Sequence, residues 1–198
     1  WLVATGQTAD LVAANNVLAH IPAIGEVYHG VRRILRPGGV FTVEFPHLLT
    51  LVENNEFDTI YHEHYFYYSL LAIDKIFERT GLRLFDVETL DTHGGSLRIF
   101  ACRDDDPRPA IAERLEPLRA AERDAALDDA RGYTGLAARV QAAKDGFWRF
   151  LEQARRDGKR VAAFGAAAKG NTFLNTCGVT AADIPFIVDE TPAKIGKL

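Results

Sequence analysis

Apolar residues along the first hundred positions follow two alternating rhythms. In Asp10–Asn15 (DLVAAN) they form a short run that reads as a buried strand. From Ile24 the spacing changes. Ile24, Val27, Tyr28, Val31, Ile34 and Leu35 recur at helical intervals, and Arg36-Pro37-Gly38-Gly39 halts the helix. Val40–Phe45 (VFTVEF) follows as a second buried strand. Strand, helix and strand with a crossover of this length make the two strands parallel. Further on, Ser69 is placed to cap a helix with Leu70, Ile73, Ile76 and Phe77 on one face, and Gly81 ends it. Leu82–Leu90 and Ser96–Arg103 are strand-like, and the DTHGG link between them predicts an antiparallel hairpin. The expected sheet is mixed, parallel first and antiparallel at its end.

Residues 107–157 are rich in Ala, Arg, Glu and Leu at helical spacing. Two helices are expected, Ala110–Ala130 and Thr134–Asp157, broken near RGYTG, with Pro117 kinking or interrupting the first. Their charge runs read as solvated faces. From Arg160 the α/β rhythm returns: Arg160–Gly165 (RVAAFG) as a buried strand, AAAKGNTFLNTC as loop and helix, and Ile184–Asp189 (IPFIVD) as the next strand. The expected organisation is an α/β unit over 1–106, a helical connector over 107–157, and the start of a second Rossmann-like α/β unit over 158–198.

Composition narrows the partners. The 198 residues suffice for one large domain, or one domain with a smaller unit. A net charge of −4, with acids and bases interspersed, argues against nucleic acid or an anionic membrane as the main partner. No apolar run nears the roughly 18–20 residues that span a bilayer, and no secretory signal opens the chain. Cys102 and Cys177 lie far apart and form no ligand cluster, so a reducing, cytoplasmic setting is expected. The chain has no methionine and places strand signals close to both of its ends, so it is expected to be a piece of a longer polypeptide.

The stretch richest in candidate chemistry is YHEHYFYYS, Tyr61–Ser69. A helical zinc-protease motif needs H-E-x-x-H, but Phe66 stands where the second His would be. In a strand His62 and His64 would share a face, yet no third ligand is marked, and no metal site is expected. Acid–base chemistry is the other use. Histidine titrates near neutral pH, Glu63 could orient such a ring or bind a sugar hydroxyl, and Tyr61 could donate to a developing oxyanion. A general base of this kind contributes about 10²–10⁴-fold. The same residues also suit aromatic core packing with satisfied polar groups, and both readings stand.

In DLVAANNVLAHIP, Asn15, Asn16 and His20 directly follow a buried strand. Ligands of open α/β sheets bind beyond the carboxyl ends of the strands, so these residues lie where a cofactor or substrate would. An Asn capping the next helix is the alternative.

Taken together, ADLVAANNVLAHIP and VRRILRPGGVFTVEFP resemble the second half of a class I S-adenosylmethionine-dependent methyltransferase domain, with the hairpin at 82–103 matching its terminal antiparallel strands. FDTIYHEHYFYYSL, HGGSLRIF and FGAAAKGNTFLN, in that order, resemble the sugar C-methyltransferases, which methylate a carbon next to a ketone in a nucleotide-linked deoxysugar. The resemblance covers nearly the whole chain. It implies that His64 is the base taking the proton from the sugar carbon, and that Tyr61 and Glu63 hold the sugar and its enolate. It also implies that Asn16 and His20 face the sugar pocket and that Asn15 and Asn16 border the cofactor. S-adenosylmethionine is the implied cofactor. Its glycine-rich turn, and a zinc-binding module, would lie upstream of residue 1, so the isolated fragment is expected to bind cofactor poorly and to be inactive.

FGAAAKGN departs from a Walker loop, because Lys169 precedes the second Gly and no Ser or Thr follows a Gly-Lys pair. It is a small-residue turn entering a helix, which offers backbone N–H groups to an anion. Lys169 and Asn171 are therefore expected at the substrate diphosphate, with tight strand–helix packing as the alternative. Arg98 would serve the same anion or form a surface ion pair. DETPAKIGK carries Thr191 where the family's D-x-N-P-x-K-x-G run has Asn. The protein is expected to be a monomer. The alternative function is a methyltransferase-like protein that has lost catalysis and binds a sugar nucleotide or a partner. A third is an oxidoreductase using the carboxyl-terminal unit.

Overall fold

The computed structural model describes residues 3–196. Packing divides the chain into two compact units, Trp1–Asn54 with Glu63–Thr134, and Asn55–His62 with Gly135–Leu198.

The first unit is built on a four-stranded sheet: β1 (Ala9–Asn15), β2 (Leu35–Pro46), β3 (Leu82–Leu90) and β4 (Ser96–Arg103), in the spatial order β1-β2-β4-β3. β1 and β2 are parallel, with Asn15 level with Glu44, and the other two pairings are antiparallel. The mixed α/β sheet expected from the apolar rhythm is present. Helices α1 (Ile24–Ile34) and α3 (Leu70–Thr80) supply Tyr28, Val31, Leu70, Ile73 and Phe77 to a core shared with Phe41, Val43, Phe45, Leu97 and Ile99. Burying each such side chain contributes about 1.5–3 kcal/mol. On β3 a register shift between Leu84 and Asp86 lets Leu82, Leu84 and Val87 all face inward, which strict alternation forbids.

Local signals act as the sequence predicts. The Ser69 side chain accepts from the Ala72 amide and starts α3, and Gly81 ends it at φ 72°. The Arg36–Gly39 stretch is part of β2 rather than a separate stop. Gly39 is required there because a Cβ would lie 2.8 Å from Leu35 Cδ1 and 2.9 Å from the Ala9 carbonyl.

Two expectations about the helical stretch need correction. The first helix, α4, spans only Leu115–Asp124, and Pro117 is its third residue, not a kink. In the first turn an N–H has no intrahelical partner to lose, so proline is tolerated. The charged face of α4 is also not wholly solvated: Glu122 is 0% exposed. The short α2 (Leu48–Glu53) completes this unit.

The second unit contains α5 (Leu136–Arg156), β5 (Ala163–Phe164), α6 (Ala168–Cys177) and β6 (Ile187–Val188). Its packing centre is aromatic. Phe173 on α6 lies 5.9 Å from Phe57 and 5.0 Å from Phe147, and Trp148 Nε1 donates to the Cys177 carbonyl at 2.8 Å. β5 and β6 pair in parallel over two residues each. The expected buried strands over 160–165 and 184–189 are thus shorter, and β5 and β6 carry exposed side chains: Phe164 is 75% accessible and Val188 48%, while Ile184, ahead of β6, is buried. Their apolar residues find no covering layer among the described residues.

Candidate functional site

β1 ends at Asn15, and Asn16 turns the chain with a left-handed φ of 52°, a conformation asparagine tolerates. The turn Leu18–His20 follows, anchored by buried Leu18. A distant segment is stitched to it. The Tyr65 amide donates to the Ala19 carbonyl at 2.8 Å, His20 Nδ1 lies 3.0 Å from the Glu63 carbonyl, and the Tyr68 hydroxyl donates to the Leu18 carbonyl at 3.4 Å. These bonds bring the His20 and His64 rings to 4.8 Å between centroids, inclined at 58°. Tyr67 approaches His64 edge-on at 6.1 Å.

The segment is neither strand nor helix here, so its residues do not alternate between two faces. Packing accounts for part of YHEHYFYYS. Tyr68 is core, 5.1 Å from Phe45 and stacked on Phe66, and burial pushes its phenol up to about 12. Tyr65 is 56% exposed, His64 is half-buried, and His20 and Glu63 are exposed.

Level with the end of β1 sits a polar cluster whose centre, Glu44, the sequence reading missed. Glu44, 7% exposed, accepts from Asn16 Nδ2 at 3.2 Å, Thr92 Oγ1 at 3.3 Å and Arg98 Nη2 at 3.0 Å. Burial opposes its charge, but the bonds from Arg98, Asn16 and Thr92 outweigh that and hold the carboxyl below its ordinary range. Arg98 Nη1 also lies 3.6 Å from Glu88. The guanidinium is therefore engaged by two carboxylates of its own sheet. The signal for Glu44 was legible in principle: it is the one acid in β2, level with the candidate Asn15.

A second missed group lies deeper. The Glu122 carboxylate accepts from His47 Nε2 at 2.7 Å and from the Leu70 and Leu71 amides at 2.7 and 2.9 Å. It thus satisfies the open amides at the start of α3, where a negative charge is favoured. His47 in turn bridges to Tyr68, and the Leu48 amide donates to the Tyr68 carbonyl at 2.9 Å. No sequence signal links Glu122 to residues 50 to 75 positions earlier.

Tyr61 belongs to the second unit, half-buried and 6.2 Å from the His62 ring. Lys169 and Asn171 lie in the first turn of α6, and Asn171 Oδ1 accepts from Asn175 Nδ2 at 3.1 Å. The turn before this helix already holds an anion of the chain itself. Asp189 accepts from the Thr191 and Ala166 amides, each at 2.8 Å, and from Lys194 Nζ at 3.1 Å, and these bonds keep its carboxyl far below the ordinary range. Thr191 holds the Asp189 carboxylate with both its backbone amide and its side chain.

Among the described residues no group of three or more His, Cys, Asp or Glu is arranged to hold a metal ion. No helix among them is long and apolar enough to cross a membrane.

Comparison with known proteins adds two family matches. Residues 91–198 match the family described as C-methyltransferase C-terminal domain, and residues 3–87 match a methyltransferase domain. The C-methyltransferase NovU of Streptomyces niveus is 42% identical over 193 residues, covering 96% of this chain and 45% of that protein. The chain therefore spans about half the length of this relative. Among solved structures, a putative methyltransferase complexed with the Trm112 activator of Haloferax volcanii aligns with TM-score 0.41 and 13% identity, over 49% of this chain and 55% of that one. Magnesium protoporphyrin IX methyltransferase of Synechocystis, with bound SAH, aligns with TM-score 0.40 and 16% identity, over 52% and 48%.

Proposed function

The chain belongs to the C-methyltransferase family, and from that premise we propose that the full-length protein is an S-adenosylmethionine-dependent C-methyltransferase. Its acceptor is the carbon next to the ketone of a nucleotide-linked sugar, with His64 as general base. The observation that carries this reading is the meeting of His64 and His20, 4.8 Å apart, at the carboxyl end of β1 beside Asn16. The sugar class itself rests on the motifs FDTIYHEHYFYYSL, HGGSLRIF and FGAAAKGNTFLN.

A carbon bearing hydrogen becomes nucleophilic only when an adjacent carbonyl can hold the charge left by the departing proton. His64 takes that proton, and the electron pair of the C–H bond moves into the enolate. Tyr61 is assigned the hydrogen bond to the enolate oxygen and Glu63 a sugar hydroxyl, both by resemblance. Half-buried Tyr67, edge-on to the His64 ring, limits water around it. S-adenosylmethionine, when bound, supplies an electrophilic methyl group on a sulfonium. The rim of β1 fits a ligand bearing hydrogen-bond donors, because Asn16 Oδ1 is a buried acceptor with no partner among the described residues. Asn16 Nδ2 must face Glu44, since a carboxylate only accepts. Lys169 and Asn171 are assigned to the substrate diphosphate, where the resident Asp189 carboxylate would have to share or yield the amide of Ala166.

The test is methyl transfer by the full-length protein to a panel of keto-sugar nucleotides, with His64→Asn beside the wild type. A fall of about 10²–10⁴-fold in rate is expected for the variant. A variant as fast as the wild type removes the base assignment, and no transfer to any keto sugar removes the acceptor class.

A further inference from the structure

The proposed chemistry leaves one buried titratable pair unused. Glu122 is 0% exposed and His47 5%, and their side chains meet at 2.7 Å. Stability alone does not require such a pair, since apolar residues of similar volume often hold a core as well or better. Resting on the function proposed above, we propose that Glu122 is a positioning residue for the catalytic segment, acting through His47 and the start of α3.

The carboxylate gives direction to what surrounds it. A carboxylate only accepts, and Glu122 Oε1 already takes the Leu70 amide, so His47 Nε2 is a donor and carries hydrogen. With the Leu71 amide on Oε2, three donors from two separate places in the chain converge on one group. The His47 amide also donates to the Gly95 carbonyl at 3.0 Å, which ties the pair to the turn between β3 and β4. Tyr68 lies between the arms of this clamp. It bridges to His47, its carbonyl takes the Leu48 amide, and Leu70, two residues on, is held by Glu122 itself.

From Tyr68 the clamp reaches the site. The Tyr68 hydroxyl donates to the Leu18 carbonyl and the Tyr65 amide to the Ala19 carbonyl. Residues 65–68 are thus pinned to the turn that carries His20 and, at their far end, to the partners of Glu122. His64 directly precedes Tyr65, and its ring takes its place 4.8 Å from the His20 ring at the end of these ties. All of these residues belong to the first unit. The Ser69 hydroxyl meets a different amide, that of Ala72, so α3 has a cap of its own. Glu122 is therefore needed less to form the helix than to fix where its first turn, and Tyr68 before it, sit.

The test uses the full-length protein and three substitutions. His47→Gln keeps an N–H donor for Glu122, and His47→Leu removes it. Glu122→Gln turns an NH2 group toward at least one of the three donors. A misplacement of about 1 Å costs about 10²-fold in rate, so kcat per folded molecule, on the same panel of keto-sugar nucleotides, should fall about 10–100-fold in His47→Leu and Glu122→Gln, with KM for S-adenosylmethionine within about threefold of the wild type. His47→Gln should recover most of the rate. A pair that only stabilised the fold would lower the unfolding midpoint and leave kcat per folded molecule unchanged, and that result overturns the proposal. A second reading needs no turnover. A nuclear Overhauser contact between the His20 and His64 ring protons is expected in the wild type and in His47→Gln, and its loss is expected in His47→Leu. Its absence from the wild type, or its persistence in His47→Leu, overturns the positioning role. Should the leucine variant not fold, the wild type decides: nitrogen-15 NMR should find hydrogen on Nε2 of His47, and hydrogen on Nδ1 alone overturns the clamp. A wild type that transfers no methyl group while showing the expected ring contacts strikes the proposed function instead, so the two failures are told apart.

Discussion

Among the described residues, two parallel strand pairs are joined through a helix, β1–β2 and β5–β6, and they end in opposite conditions. β1 and β2 run level from Leu11 and Val40 to Asn15 and Glu44, and β2 buries Phe41, Val43 and Phe45 completely or nearly so. β5 and β6 share two residue pairs, and Phe164, Ile187 and Val188 stay exposed. Their sequences are similarly apolar. What separates them is cover: α1 and α3 close over one face of the first sheet, whereas the aromatic centre of the second unit gathers on α5, α6 and residues 57–59. An apolar run proposes a strand, and the layer packed against it decides how long the strand becomes.

This contrast can be broken by substitution. Phe41→Ala removes a ring with no exposed surface and should cost about 3–5 kcal/mol. Phe164→Ala should stay within about 0.5 kcal/mol, because its ring already contacts water. Equal effects in denaturant unfolding would abolish the distinction. Next in size, a glycine within β2 and one directly after β5 should differ. Gly39→Ala meets the Ala9 carbonyl at 2.9 Å and should cost about 1–3 kcal/mol. Gly165→Ala meets nothing within 4 Å and pays only for its φ of 88°, about 1 kcal/mol. The smallest effect is electrostatic. The Glu44 carboxyl is held below its ordinary value in the folded state, so the unfolded chain binds the proton first as pH falls. Its stabilisation is present above about pH 4 and is lost as pH drops through the folded value. Glu44→Gln should flatten that acid limb of the stability curve, and an unchanged limb would show that Arg98 and Asn16 do not hold the charge.

The elements of the first unit were readable because each is set by neighbours in sequence. Ser69 caps the helix it precedes, Gly81 closes it, and largely apolar runs mark β2 and β4. β3 was readable as a strand but not in its inward residues, since the shift at Phe85 is a property of its pairing with β4. Pro117 misled because its effect depends on where the helix begins, which nearby residues leave open. In the candidate site, Asn16, His20 and His64 were singled out by residue type, and the fold does bring His20 to His64. Glu44 and Glu122 escaped notice because their partners are remote. An acid in a strand or on a charged helix reads as solvated until the fold supplies Arg98 or the Leu70 amide.

The dependence of α3 on Glu122 has a consequence in time. The amides of Leu70 and Leu71 are met by a carboxylate about fifty positions later in the chain. At about 5–20 residues per second, a ribosome delivers that carboxylate roughly 3–10 s after the helix it completes. Until then the first turn of α3 must rely on the Ser69 hydroxyl and on water, and the stretch bearing His64 hangs from an unfinished anchor. During synthesis, the anchor at the start of α3 is therefore completed only after α4 has emerged, not when the residues of α3 have.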